Sequence, residues 1–215
     1  MAIAYDNFST GNASTTATVS HANAGNTLLC FIVGDYAGDN LTSVTYNGVA
    51  MTFLDKHVVT GDRWNYSYIM QNAPVGTYNV VATISTSNGL EIQNVSYSGC
   101  ATTGQPDAHT VNSGTGSGSL TATVTTTTAG DWLVGKGVQS SSGVPTAGAG
   151  TTLRGTSGAY SNEVVGDTNG AVSVGSNSLL FTGPGTGFWL DFVVALKPAA
   201  SAAVVHSLSS LGAGA

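Results

Sequence analysis

The chain has 215 residues, enough for one large domain or two small ones. Only 7% of them are charged, against about 25% in an ordinary soluble protein, so hydroxyls, amides and backbone groups must keep the surface soluble. With five basic residues and a net charge of −6, the chain lacks the positive surface that nucleic acids and anionic membranes require. No apolar run approaches the roughly 20 residues that span a bilayer.

Short segments rich in Thr, Val, Tyr and Ile recur along the chain, and Gly-rich or Asn-Gly turns separate them. This pattern predicts an all-β protein, an antiparallel sandwich or jelly roll. The predicted strands, in chain order, are Ile3–Phe8, Thr15–Ser20, Thr27–Asp35, Leu41–Tyr46, Ala50–His57, Arg63–Gln71, Gly76–Ser85, Leu90–Ser98, Ser119–Thr125, Asp131–Val138, Thr151–Arg154, Ala159–Val165, Ala171–Val174, Ser178–Phe181 and Phe188–Leu196.

The chain repeats itself. The sequence Thr16–Val19, followed by Ala24-Gly25 and Leu28, recurs 105 residues later as Thr121–Val124, Ala129-Gly130 and Leu133. The repeat predicts two similar halves, about 9–104 and 114–198, joined by a Gly/Ser-rich surface loop over Thr110–Gly118.

We expect the halves to pack as the two sheets of one sandwich, or as an eight-stranded jelly roll of doubled four-strand units. Separate domains are disfavoured, because neither half has enough large apolar residues to close a core alone.

The segment 199–215 differs in character from the sandwich region 1–198. It is rich in Ala, Ser and Gly and carries Val204, Val205, Leu208 and Leu211. That spacing predicts the apolar stripe of a short helix, or an extended arm, that docks on a neighbouring subunit.

Four segments together carry a family resemblance: Ala24–Leu29, Leu41–Leu54, Arg63–Met70 and Val193–Pro198. In them the chain resembles a jelly-roll-like β-sandwich module, ending in a VALKP-type strand, of phage structural proteins and bacterial surface proteins. The resemblance covers about residues 1–198. It implies adhesive, decorating or glycan-contacting roles and carries no catalytic signature.

Aromatic residues suggest one contact site. Trp64, Tyr66 and Tyr68 alternate along a predicted strand and therefore share one face. That face either packs inward, or it points outward as a platform for a sugar or a partner protein. Trp132 and Trp189 lie in apolar strands and are predicted to belong to the core.

Catalytic chemistry has little support in the sequence. No histidine lies beside a nucleophile-elbow motif, and Glu91 and Asp191 are the candidates for the facing carboxyls that glycoside hydrolysis needs. The favoured interpretation is a protein that is not an enzyme and has no cofactor. Asp35 and Asp39 are weak candidates for a calcium site, and a polar turn is the favoured alternative.

Cys30 lies in an apolar run and Cys100 follows a strand. Two free thiols are the favoured interpretation, and one disulfide remains open.

The N-terminus has neither the basic nor the apolar region of a signal peptide. Together with the low charge and the doubled sandwich, this favours a non-enzymatic virion structural protein of a bacteriophage, assembled in the host cytoplasm. It would be a capsid decoration or cement protein, or a tail or fibre component, that associates with itself and with other virion proteins. The alternative is a carbohydrate-binding or adhesin module that contacts a cell-surface glycan.

Overall fold

A computed structural model describes residues 1–34, 38–59, 63–86, 89–140, 143–159 and 162–200. In this part of the chain the regular elements are β-strands, and paired strands run antiparallel. The sheets pack face to face through apolar cores. The predicted all-β antiparallel sandwich is therefore confirmed.

The strands divide between the two halves of the chain. The first half contains β1 (Ala4–Ala13), β2 (Thr16–Asn23), β3 (Thr27–Gly34), β4 (Leu41–Tyr46), β5 (Val49–Ala50), β6 (Thr52–Val59), β7 (Arg63–Gln71), β8 (Gly76–Ile84) and β9 (Leu90–Ser98). The second half contains β10 (Ala108–Thr115), β11 (Gly118–Thr126), β12 (Trp132–Gln139), β13 (Thr146–Ala147), β14 (Thr152–Ser157), β15 (Asn162–Asp167), β16 (Gly175–Gly183) and β17 (Phe188–Leu196).

Each half forms an inner and an outer sheet. In the first half the inner sheet has the order β1-β9-β3-β7-β6 and the outer sheet the order β2-β8-β4-β5. The pairs β1·β9, β2·β8, β3·β7 and β4·β5 are nested like a long hairpin that has been rolled up, which is the topology of a jelly roll. The second half repeats this plan, with β10-β17-β12-β15-β14 inside and β11-β16-β13 outside.

The two halves were expected to supply one sheet each, or to form one eight-stranded jelly roll together, whereas each half builds its own jelly roll. The physical reason is that the middle strands of the inner sheets, such as β3, bury apolar side chains on both faces. In β3, Leu28, Cys30 and Ile32 face the outer sheet, while Leu29 and Phe31 face the other jelly roll. Each inner sheet is covered on one face by its own outer sheet and on the other by the second jelly roll. A half therefore needs fewer large apolar residues than an isolated domain would.

Three cores thus separate four stacked sheets in the described residues. One core lies inside each jelly roll, and a central core lies between the two inner sheets. In the central core the rings of Phe31 and Phe192 have centroids 6.3 Å apart. Burial of each such side chain contributes about 1.5–3 kcal/mol, so the central core fuses the two jelly rolls into one body.

β10 corrects the predicted surface loop over Thr110–Gly118. The strand Ala108–Thr115 pairs with β17 along its whole length. Its residues are mostly small or polar, so the sequence pattern did not identify it as a strand. Gly114 has a packing role in this strand. A Cβ at Gly114 would lie 2.7 Å from the indole of Trp189, so the glycine leaves room for that ring.

The contact between the jelly rolls is pseudo-symmetric. β6 of the first half lies against β10 of the second, and the equivalent strand of the second half, β14, lies against the equivalent strand of the first, β1. At the first contact, His109 Nδ1 lies 2.6 Å from Asp55 Oδ2. At the equivalent positions of the second, the ring of Phe8 covers Gly155, where a Cβ would lie only 2.2 Å from it. The two jelly rolls of the single chain are therefore related by a pseudo-twofold axis.

Candidate functional site

Trp64, Tyr66 and Tyr68 lie on β7 and face the outer sheet of the first jelly roll. Tyr66 is only 2% exposed. Trp64 and Tyr68 are half-buried at the margin of the core. The middle residue of the stripe therefore closes the core, while the two flanking rings reach the surface.

A fourth ring extends this stripe onto the edge strand β6. Phe53 lies opposite Tyr68, with ring centroids 5.5 Å apart and planes at 69°, and it is 46% exposed. Trp64 and Tyr66 are stacked, with centroids 6.5 Å apart and planes at 23°. We call Phe53, Trp64, Tyr66 and Tyr68 the aromatic shelf. Sequence reasoning missed Phe53, because only the register of β6 against β7 brings it to Tyr68.

Charged groups border the aromatic shelf. The Lys56 ammonium forms an ion pair with Asp39 and lies 5.4 Å from the centroid of the Trp64 ring, within reach of a cation–π contact. Tyr66 Oη donates to Asp39 Oδ1 at 3.1 Å. The hydrogen bond from Lys56 lowers the pKa of Asp39, and burial together with Asp39 raises the pKa of Tyr66. At neutral pH the shelf therefore offers an anionic acceptor beside an ammonium donor.

The second jelly roll has no aromatic residue at the equivalent places. Leu153, Asn162, Val164 and Gly166 stand there. The ring of Phe181, from the outer sheet, fills that space instead, 3.0 Å from where a Cβ of Gly166 would lie. The jelly roll thus closes without the aromatic shelf, so the fold alone does not require it.

The structure describes only one of the two weak metal candidates. Asp39 is engaged by Lys56 and Tyr66, and Asp35 lies outside the described residues. Across the part of the chain that the structure describes, no three His, Cys, Asp or Glu side chains converge. The arm residues also lie outside the described residues; they are Val204, Val205, Leu208 and Leu211.

Glu91 and Asp191 do not form a facing pair. The registers of β9 and β17 make Glu91 equivalent to Leu190, one position away from Asp191. A shift of one residue moves a side chain to the other face of a strand. Glu91 lies on the central-core side of β9, whereas Asp191 faces the second outer sheet, where its Oδ2 accepts from the Ala122 N–H at 2.8 Å. Burial raises the pKa of Asp191 well above its ordinary value.

The remaining predicted residues belong to the packing. Cys30 and Cys100 are free and buried in different cores, as favoured from the sequence. Burial raises the pKa of Cys30 to about 12 and that of Cys100 to about 11, so both stay protonated thiols. Trp132 and Trp189 are partly buried and pack against the central core and the second core.

Comparison of the chain with protein-family models, with curated proteins and with solved structures gave no match. Among the described residues, no helix has the length and apolar character needed to cross a bilayer.

Proposed function

We propose that this protein is a non-enzymatic structural component of a bacteriophage virion, either a capsid decoration or cement protein or a part of the tail or fibre. It associates with itself and with other virion proteins in a particle that is assembled in the host cytoplasm. Jelly rolls serve as viral capsid and lectin domains, among others, and this fold-level analogy supports the class. The resemblance of the sequence to phage structural modules supports the same class.

The observation that carries the proposal is the fusion of two jelly rolls into one four-sheet body. Polar contacts join the halves in addition to the central core. Tyr97 Oη of the first jelly roll donates to Asp167 Oδ2 of the second at 2.6 Å, and Arg154 binds the same carboxylate through two nitrogens, at 2.7 and 2.9 Å. Arg154 thereby holds Asp167 in place, and the charge-assisted bond from Tyr97 helps to fix the orientation of the halves. Two jelly rolls that share a core and this polar contact suit a permanent structural part.

The outer sheets suit contacts between copies. Their exposed faces carry hydroxyl side chains rather than ions, as the rows Thr16, Thr18 and Ser20 on β2 and Thr123 and Thr125 on β11 illustrate. Burying such a face desolvates few charges, which favours lasting contacts.

The test is the mass of the protein in solution, measured by light scattering on the full-length chain and on a chain cut after Ala200. The cut keeps Ala199, whose N–H donates to the Gly99 carbonyl at 2.7 Å and whose carbonyl accepts from the Met1 ammonium at 3.2 Å. We expect a defined oligomer that the truncation dissociates without loss of β-structure. A monomer in both forms would contradict the proposal.

A second candidate function is carbohydrate binding, as in an adhesin module, and the aromatic shelf is the observation that favours it. Exposed rings stack on the apolar faces of sugars, while neighbouring polar groups bind the hydroxyls. Phe53 and the half-buried rings of Trp64 and Tyr68 supply the first element, and Asp39 and Lys56 supply the second.

A further inference from the structure

Two carboxyl groups meet in the interior at one end of the second jelly roll. Asp107 immediately precedes β10, and Asp131 immediately precedes β12. The Asp131 residue is 0% exposed and the Asp107 side chain is 2% exposed. Two buried carboxyls in contact must share their hydrogen-bond donors, so the distribution of those donors determines the charge of each.

The protein donors converge on Asp107. Its Oδ2 accepts from the backbone N–H groups of Thr127 and Thr128, and its Oδ1 accepts from their hydroxyls at 2.7 and 3.1 Å. The Lys197 ammonium lies 3.6 Å from Oδ1. Burial opposes ionisation here, but these donors outweigh it and hold the pKa of Asp107 well below its ordinary value. Asp107 is therefore a carboxylate.

Asp131 has the opposite surroundings. No donor among the residues that the structure describes reaches either of its carboxyl oxygens, and the carboxyl faces Asp107. As a carboxylic acid, Asp131 has a hydroxyl of its own, which donates a hydrogen bond to the Asp107 carboxylate. Burial, followed by the neighbouring Asp107, raises the pKa of Asp131 to about 7, while Lys197 acts in the opposite direction.

The first jelly roll shows that the fold does not require a carboxyl at this place. The residue equivalent to Asp131 is Asn26, whose amide is fully engaged by one backbone unit. Its Nδ2 donates to the Cys100 carbonyl at 2.6 Å, and its Oδ1 accepts from the Cys100 N–H at 3.2 Å. The turn before the third strand of the first jelly roll therefore accommodates an uncharged amide, and the ionisable group at Asp131 is a special feature of the second.

We propose that Asp107 and Asp131 form a proton-operated lock, in which one shared proton ties together the start of β10, the turn between β11 and β12, and the end of β17. The charged groups that face Asp131 are Asp107 and Lys197. The Met1 ammonium lies nearby, in a pocket that Thr128 and Ala129 also line. When the proton leaves to solvent, two carboxylates share donors that neutralise only one, and the three segments loosen. The lock lies beside Pro198, where the chain passes into its C-terminal segment.

The direction of the pH effect follows from the shift. A carboxyl with an ordinary pKa of 3.8 that titrates near 7 in the fold stabilises the protein fully below about pH 4. This stabilisation is lost progressively as the pH rises from about 4 to about 7, because the unfolded chain releases its proton first.

Asp131→Asn, which copies Asn26, tests the lock. The unfolding constants of the wild type and the variant should be compared by urea denaturation across this range. The ratio of the wild-type unfolding constant to that of the variant should rise about tenfold per pH unit between about pH 4 and pH 7. The variant should be the more stable protein at pH 8. In Lys197→Gln the loss of stability should continue to higher pH, because Lys197 lowers the pKa of Asp131 and its removal raises that pKa.

A direct measurement separates a titrating pair from a merely structural one. In ¹³C spectra of the full chain, one Asp carboxyl should titrate near neutral pH in the wild type and be missing in Asp131→Asn. A pH-independent ratio of unfolding constants, or an Asp131 carboxyl that titrates at its ordinary value, would overturn the lock. If millimolar calcium at pH 8 stabilises the wild type but not the variant, the pair is a cation site and the proton assignment is also overturned.

Discussion

At the scale of single residues, His21 shows how the fold holds a titratable group neutral. It is 0% exposed in the first jelly roll, with Nδ1 2.8 Å from Ser9 Oγ and Nε2 3.0 Å from Ser96 Oγ. Ser96 gives its own hydrogen to Asp6 at 2.7 Å. The histidine Nε2–H therefore donates to Ser96, and Nδ1 accepts from Ser9. Burial lowers the pKa of His21 to about 4.

This burial makes the protein sensitive to acid. Between about pH 6.5 and pH 4 the unfolded chain binds a proton that the folded His21 refuses, so stability falls as the pH falls. Relative to His21→Gln, the wild type should lose on the order of 3 kcal/mol across that range. Urea denaturation of both proteins at several pH values measures the difference, which isolates His21 from the opposite trend of Asp131. Parallel stability curves would contradict the assignment.

At the scale of elements, the paired strands β6 and β7 carry the aromatic shelf. Their face reaches beyond the short strands of the outer sheet, so Phe53 stays exposed while Tyr66 is covered. The corresponding pair β14 and β15 lacks these rings. The difference between two strand pairs of the same topology is the structural basis for proposing that β6 and β7 bind carbohydrate.

A glycan array followed by titration calorimetry tests this assignment. If the shelf binds sugar rings, Phe53→Ala and Trp64→Ala should each weaken binding about tenfold, which corresponds to about 1.4 kcal/mol. Phe188→Ala is the matched control, since Phe188 is an exposed ring of the second jelly roll at 37% exposure. The assignment fails if the wild type retains no glycan, or if the control variant loses as much affinity as the shelf variants.

At the scale of the whole molecule, the union of the jelly rolls includes a buried ion pair. Lys136 occupies the place on β12 that Phe31 occupies on β3, and it points into the central region. Its Nζ lies 2.8 Å from Glu163 Oε2 and 3.5 Å from Asn65 Oδ1 of the first jelly roll, and both charged side chains are fully buried.

Removing one partner of such a pair should cost more than removing both charges. Lys136→Met removes the ammonium that lies 2.8 Å from the buried Glu163 carboxylate and should lower the free energy of unfolding by about 3–5 kcal/mol. Adding Glu163→Gln should restore most of that loss, because both charges of this buried pair are then removed together. Denaturant unfolding of both single variants and the double variant measures the coupling. A double variant as unstable as Lys136→Met would show that the two charges do not depend on each other.

The residue pattern alone was enough to predict the class of the fold and much of its local order. Period-two alternation identified the common face of Trp64, Tyr66 and Tyr68, and the spacing from Leu28 to Leu133 revealed the repeat, because both depend on neighbours along the chain. Tertiary structure decided what depends on residues that are distant in sequence: that each half closes its own jelly roll, that Gly114 lies within a strand, and that Phe53 joins Tyr68. It also separated Glu91 from Asp191 and brought Asp131 to Asp107. Strand register and sheet packing set these contacts, and composition and periodicity carry little information about either.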